Sequence, residues 1–383
     1  MQNILIFSSL VVRFFVLLQT QSLGEQSTNK ERHKAYMDKK SIIFIMNPIS
    51  GTTSKTRIPD IIKEHLDHEK FDYEIRLTEY AGHASEIARE AKEKGTDVVV
   101  AVGGDGTVNE VASAIVHSSS ALGIIPCGSG NGLARHLLIP MNIKKSIEII
   151  NSCEIRDLDY GVINDIPFFC TCGMGFDAFV SQKFAESGKR GPISYAEQIL
   201  REGLKYEPET YEIEDENSLM KYKAFLISCA NASQYGNNAY IAPQASMSDG
   251  LMDVIIMEPF DIIEAPLINI EMFNKTLDTN SKIKTFKCKN VRIHRSKPGW
   301  IHYDGDPVEA GTEIEIHIKE KGIKMLVNPF TDRNKRQPTA FQNAAAELLN
   351  QINDLRNGIM KDINNTGKQI QDFRKSIQEK LNL

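Results

Sequence analysis

The stretch Val98-Val99-Val100-Ala101-Val102-Gly103-Gly104-Asp105-Gly106-Thr107-Val108-Asn109-Glu110-Val111 puts a strand, a turn and a helix start into fourteen residues. Five apolar residues in a row, four of them β-branched, predict a strand buried on both faces, as in a parallel sheet. Three glycines around one aspartate then let the backbone turn sharply and let a ligand approach main-chain N–H groups that a Cβ would shield. Thr107 is placed to cap the following helix, and Glu110 stands three residues on to complete a capping box. A helix N-terminus behind a glycine turn favours an anion, and Asp105 beside it suits a metal carried by that anion. Taken alone, the stretch reads equally well as a strand-to-helix turn with no ligand.

Working outward, Ser41 to Met46 is a short apolar strand that runs into Asn47-Pro48-Ile49-Ser50-Gly51-Thr52-Thr53-Ser54-Lys55. Such a loop offers N–H groups and hydroxyls to phosphate, but it lacks the Gly-Lys-Ser/Thr ending of a Walker A loop. The pattern predicts a helix over 58–66, a strand over 73–78, a helix over 83–94, a helix over 107–116 and a strand over 122–125. That last strand leads into a second glycine loop, Pro126-Cys127-Gly128-Ser129-Gly130-Asn131-Gly132. Alternating strands and helices argue a doubly wound parallel sheet, in which the loops after Met46, Val102 and Ile125 share the carboxyl edge where ligands bind. Asn109 and Leu133 stand where GxGxxG needs its third glycine, so a Rossmann dinucleotide site is disfavoured.

From about Cys153 the pattern changes to strand-like runs at 168–172, 224–230, 251–257 and 285–293, with helices near 177–186 and 195–204. This predicts a mostly antiparallel second domain. It contains two aspartate turns, Ser248-Asp249-Gly250-Leu251 and Tyr303-Asp304-Gly305-Asp306. From about Pro338, Phe341, Ala345, Leu348, Ile352, Leu355 and Ile359 recur at steps of four and three, an amphipathic helical tail that either packs on its own domain or dimerises. The predicted organisation is a leader over 1–40, an α/β domain over 41–158 completed by a strand near 321–331, a β-rich domain over 159–320, and the tail over 338–383.

At 383 residues the chain is too long for one ordinary core. Its 41% apolar and 25% charged residues are those of a globular protein, and a net charge of −5 points away from a nucleic-acid partner. The six cysteines have no paired CxxC spacing with histidines, which predicts reduced, buried thiols. The apolar run from Ile4 to Leu18 is interrupted by Arg13, is short for a membrane span, and lacks the basic start and cleavage site of a signal peptide. Met37, just before the first strand, is the expected natural start.

The motifs NPxSG at 47–51, GGDGTxNEV at 103–111, GSGN at 128–131, SDGxxDV at 248–254 and DGD at 304–306 together resemble the diacylglycerol kinase and sphingosine kinase superfamily, in particular the bacterial diacylglycerol kinase-type lipid kinases. The resemblance spans roughly residues 40–330. It implies a fold class of an N-terminal domain like that of NAD kinases and phosphofructokinases followed by a β-sandwich-like domain, with ATP between them. The nucleotide site it implies falls on Asn47, Pro48, Ser50, Gly51, Thr78, Gly103, Gly104, Asp105, Gly106, Thr107, Glu110 and Ser129. It implies Asp105 as organiser of magnesium and phosphates or as the base, and Asp306 as the base of a DGE-like motif in which aspartate replaces glutamate. It implies a structural magnesium on the Asp249 side chain and the carbonyls of Ser246 and Leu251.

The function implied is an ATP- and Mg2+-dependent kinase of diacylglycerol or a related lipid, working at the inner membrane face from the cytoplasm. Its apolar pocket is expected from the segments 170–179 and 193–204, and a homodimer through the tail is an accompanying expectation. A sphingoid base is the second substrate reading, disfavoured because Phe179 stands where sphingosine kinases carry an aspartate, although GSGN is nearer the sphingosine kinase form. A non-catalytic, nucleotide-binding membrane-docking protein is the reading from another class.

Overall fold

The computed structural model describes residues 39–48, 56–187, 206–261 and 264–330. The leader with Met37, the loop residues 49–55 with Ser50 and Gly51, the pocket segment 193–204 and the helical tail lie outside the described residues.

The first half alternates as β1 (Lys40–Met46), α1 (Ile58–His65), β2 (Phe71–Leu77), α2 (His83–Glu93), β3 (Val98–Gly103), α3 (Asp105–Ile115) and β4 (Ala121–Pro126), followed by the short α4 (Gly132–His136) and α5 (Ile143–Ser152). The strands pair in parallel in the order β2-β1-β3-β4. Every residue of β3 and β4 is buried, as a sheet covered on both faces requires. Side chains alternate between the two covers. Ile43, Ile45, Val99 and Ala101 join one core cluster with residues of α2 and α3, while Ile42, Phe44, Val98, Val100 and Val102 join another with α1 and α5.

The second half comprises β5 (Ile155–Ile163), β6 (Ile166–Phe168), β7 (Thr171–Gly175), α6 (Phe176–Ser187), β8 (Glu209–Asp215), β9 (Leu219–Ala224), β10 (Leu226–Ala230), β11 (Met252–Met257), α7 (Ala265–Asn274), β12 (Ile283–Cys288), β13 (Asn290–Arg295), β14 (Gly299–Tyr303), β15 (Asp306–Ala310) and β16 (Glu313–Leu326). Six of these form an antiparallel sheet ordered β12-β11-β10-β7-β14-β15. The parallel sheet also continues into this half. The long β16 pairs in parallel with β4 through Lys324 and Met325 and antiparallel with β13 and β5, extending the order to β4-β16-β13-β8-β9. Ile163, Ile213, Ile293 and Ile314 of this extension pack against Cys172, Ile227, Val254 and Ile301 of the second sheet, closing a sandwich-like core.

Three local expectations are corrected. The helix after the first glycine loop begins at Asp105, with Gly104 as its N-cap and no side-chain cap, so Thr107 lies inside the first turn. Glu110 does not close a capping box on it and instead accepts a hydrogen bond from Gly82 N at 3.2 Å. The run 285–293 is two strands in different sheets. Its apolar positions are even at Phe286 and Cys288 and odd at Val291 and Ile293, and that change of parity marks the corner between them. The run 168–172 also breaks, because the N–H groups of Phe169, Cys170 and Thr171 donate to the Asp304 carboxylate. Among the described residues no helix is long and apolar enough to cross a membrane.

Asp159 of β5, 2% exposed, joins the two sheets locally. It accepts Gly250 N at 2.8 Å and Lys321 N at 2.7 Å. Asp159→Ala leaves the buried Gly250 N–H without an acceptor and exposes the Lys321 N–H to water, and is expected to lower stability by about 2 kcal/mol, read as a fall in the denaturant midpoint. An unchanged midpoint would show that water replaces the carboxylate without cost.

Candidate active site

The carboxyl edge of the parallel sheet gathers the residues that the motifs single out. Asn47 follows β1 and donates its N–H to Val102 O at 3.2 Å, and Thr78 follows β2 and donates to Met46 O at 2.9 Å. Asn47, Thr78 and Gly103 therefore end neighbouring strands at the same level. Pro48 is exposed beside Asn47, Ser129 is exposed at the tip of the second glycine loop, and Gly106 is exposed in the first turn of α3.

The two glycine loops touch backbone to backbone. A Cβ on Gly128 would lie 2.5 Å from Gly104 Cα, and one on Gly103 would lie 2.5 Å from Thr107 Oγ1, so neither position admits a side chain. Asp105 fastens the pair, because its Oδ2 accepts Asn131 N at 2.8 Å and its Oδ1 accepts Gly132 N at 2.7 Å. Asn131 closes its own loop by accepting Gly128 N at 2.9 Å and donating to Gly128 O at 2.7 Å. Burial raises the Asp105 pKa, the two backbone donors oppose that rise, and the charge of Asp304 adds to it.

Asp304 and Gly305, at φ 48° and 93°, form the two-residue turn of the β14–β15 hairpin. The Asp304 carboxylate accepts four hydrogen bonds: Asn109 Nδ2 and Phe169 N at 2.9 Å, Cys170 N at 2.7 Å and Thr171 N at 3.1 Å. Those bonds press the hairpin onto the start of α3. Asp306, two residues on, brings its Oδ2 to 3.8 Å from where a Cβ of Gly106 would stand. Among the described residues its carboxylate makes no hydrogen bond. It opens to solvent on one side, and crowding on the other pushes its pKa up to about 6, through desolvation first and then the negative charges of Asp304, Glu110 and Asp105.

Between Asp105 and the hairpin lies a cleft of about 110 Å³, walled in part by Val108, Leu133 and Cys170. Its far side carries a polar group that sequence reasoning missed as a unit. Asp177 Oδ2 receives Tyr235 OH at 3.1 Å and faces His302 Nε2 at 3.0 Å, with His302 2% exposed. A Cβ on Gly173 would fall 2.6 Å from Asp177 Oδ2, so the glycine opens the space that this carboxylate occupies. The signal was present in Gly173-Met174-Gly175-Phe176-Asp177 and in a histidine two residues before the aspartate turn, but their meeting needs the β7–β14 pairing.

At the carried-over structural magnesium site the Asp249 carboxylate already has a cationic partner. Asp249 Oδ2 takes Lys287 Nζ at 3.0 Å, and its Oδ1 takes Leu251 N at 3.2 Å. Burial works against the charge on Lys287, but Asp253 and Asp249 outweigh it and hold its pKa above the ordinary lysine value. Ser246 makes its hydroxyl contact with Ser248 at 3.3 Å. Among the described residues no three His, Cys, Asp or Glu side chains form a metal-binding group. A cation carried by a nucleotide is a different case: the mutual repulsion of Asp105, Asp304 and Asp306 in the cleft is what such a cation would relieve, and hard carboxylate oxygens suit magnesium.

A model described as the diacylglycerol kinase catalytic domain matches residues 41–163. A second, the YegS C-terminal NAD kinase beta sandwich-like domain, matches residues 170–350. The chain thus carries a diacylglycerol kinase catalytic domain followed by a YegS-type C-terminal domain. It is 28% identical over 300 residues to an uncharacterized protein of Synechocystis sp., covering 74% of this chain and 69% of that one. It is 26% identical over 271 residues to a Salmonella typhimurium protein named "Probable lipid kinase YegS", covering 69% of this chain and 89% of that one. A solved structure titled as a diacylglycerol kinase from Bacillus anthracis superposes with a TM-score of 0.60 at 20% identity, over 76% of this chain and 97% of that one, a likeness of fold.

The Asp306 shift carries a signed consequence. A carboxyl whose folded pKa of about 6 exceeds its unfolded value of 3.8 binds its proton more tightly in the folded state, so it favours folding most below pH 3.8 and loses that contribution as pH rises to about 6. Asp306→Asn removes the titration. Its melting temperature relative to wild type is expected to climb between pH 4 and 6 and then stay level. A constant difference across that window would mean that Asp306 is not perturbed.

Proposed function

We propose that the protein is an ATP-dependent kinase that phosphorylates a hydroxyl of diacylglycerol or a closely related lipid alcohol, with magnesium accompanying the nucleotide. The observation that carries this reading is that Asp306, on the second-domain hairpin, stands beside the first turn of α3, the turn that Asp105 opens next to the cleft lined by Asp105 and Asp304. It is supported by the catalytic-domain match and by the relatives named as lipid kinases.

The nucleotide is assigned to the edge formed by Asn47, Pro48, Thr78, Gly103, Gly104, Gly106, Thr107, Glu110 and Ser129, with Ser50 and Gly51 added by the resemblance alone. The N–H groups of the first turn of α3 face its phosphates, as anions at a helix N-terminus do. Asp105 is the residue that would hold a magnesium ion carried by the nucleotide, and the ion would supply positive charge to the γ-phosphoryl group. The acceptor hydroxyl lies toward Asp306. Its proton passes to an Asp306 carboxylate oxygen, its oxygen bonds to the γ-phosphorus, and the bond from that phosphorus to the bridging oxygen breaks to leave ADP. An acid of pKa about 6 is ionised at neutral pH yet basic enough to take the proton.

The lipid's polar head is assigned to the part of the cleft lined by Asp177, Tyr235 and His302. A sphingoid base is the second reading, and Asp177 is the observation that favours it, since a carboxylate in that wall complements an ammonium. Val108, Leu133 and Cys170 provide the apolar side of the same space.

Purified protein incubated with γ-labelled ATP and separate vesicles containing diacylglycerol or a sphingoid base tests the assignment. Labelled diacylglycerol product is expected. Label in neither lipid rejects the kinase reading and leaves the non-catalytic docking protein. Asp105→Ala is expected to lower turnover at least ~100-fold in a folded protein that still partitions to vesicles. Asp306→Asn is expected to lower kcat by ~100-fold or more and to remove the loss of rate below about pH 6. An Asp306→Asn enzyme with wild-type turnover would pass the role of base to Asp105.

A further inference from the structure

The turn from Ser246 to Leu251 enters β11, and the family resemblance puts a structural divalent cation there. In this chain a positive charge is already covalently present. Lys287 of β12 stands directly opposite Asp253 of β11 in the antiparallel register. Its Nζ lies 2.7 Å from Asp253 Oδ2 and 3.0 Å from Asp249 Oδ2, one ammonium shared by two carboxylates. Asp253 is nearly enclosed and Lys287 is half-buried, which sets this contact apart from an exposed, solvent-screened ion pair.

We propose that Lys287 is a built-in cation for this turn, doing at Asp249 what a bound divalent ion would otherwise do, so that the second domain folds without a structural metal. Two observations carry it. The lysine is placed by sheet register rather than by a free rotamer search, since Lys287 and Asp253 are ladder partners. A magnesium ion brought to Asp249 would meet the ammonium as a like charge and would also need near-octahedral oxygen ligands at about 2.0–2.1 Å. Two acidic side chains, Asp249 in the turn and Asp253 on the strand it enters, would repel each other without a cation, so the lysine and the aspartates form one unit. This concerns the second domain's stability alone and does not depend on which lipid, or whether any lipid, is phosphorylated.

Thermal unfolding of the full chain without nucleotide tests it, with EDTA or added magnesium chloride as the probe. Wild type is expected to melt at the same temperature in both. Lys287→Met is expected to melt lower in EDTA and to regain roughly 2–4 °C or more as magnesium is added, because the exposed pair of carboxylates then binds the ion. If Lys287→Met does not fold in EDTA, refolding it in magnesium gives the same reading, with recovery expected. A wild-type protein stabilised by magnesium overturns the proposal, since a metal would then bind despite the lysine. A Lys287→Met protein indifferent to magnesium, folded or not, overturns it too, because the turn would then hold no cation site for the lysine to fill.

Discussion

The Asp304 carboxylate is the interaction on which the arrangement of the cleft depends. A carboxylate that accepts four hydrogen bonds, three of them from consecutive backbone N–H groups, is held in one orientation at a cost in desolvation that those donors offset. Burial raises its pKa, and Asn109 with the three backbone donors pulls it back. The same four bonds fix three things at once. They end β6 and start β7, they lock the β14–β15 turn, and through Asn109 they tie that turn to α3, the helix that the first glycine loop launches. A side chain from the second domain therefore sets the distance between Asp306 and the nucleotide edge.

Against that anchor the glycine loops act as a second constraint of a different kind. Gly104 and Gly128 are close because nothing projects from either, and Asp105 makes the closeness durable by capturing N–H groups at 131 and 132. The motif residues are thus mutually dependent. Gly103 makes room for Thr107, Gly130 makes room for Asp105, and Asn131 adopts a left-handed backbone at φ 52° so that its amide can close its own loop. A short polar side chain tolerates that conformation better than a branched one. The aspartate of the first loop is a structural clasp before it is anything chemical.

The sequence made the parallel half easy to read, because a strand buried on both faces leaves an unbroken apolar run and the punctuation after each run is glycine. The three loops after Met46, Val102 and Ile125 fall on one edge for the same reason. Long-range hydrogen bonding was not legible. No local pattern announces that Asp304 interrupts the run at 168–172 or that β16 returns 187 residues later than β4 to extend its sheet, although a strand near 321–331 was expected. Asp177, Tyr235 and His302 come from three separate segments, and only the antiparallel ladder brings them together. Lys287 was invisible as a partner of Asp249 because its position depends on strand register, which the apolar parity at 286–293 encodes only in retrospect.

The choice between the two cleft aspartates follows from what each oxygen already does. Both Asp105 oxygens accept backbone N–H groups, and each such donor stabilises the ionised form and weakens it as a proton acceptor. Moving Asp105 to follow a proton would also release the clasp between the loops. Asp306 has no such commitment among the described residues, and its neighbours are negative, so every charge near it except His302 raises its proton affinity. The Asp306 carboxylate stands at ordinary van der Waals distance from the space a Gly106 Cβ would fill, beside the first turn of α3. In the proposed reaction the division of labour is then physical rather than nominal: Asp105 holds the loops and faces the cation, while Asp306, crowded by like charges and without a hydrogen bond among the described residues, is the group whose proton affinity suits the lipid hydroxyl.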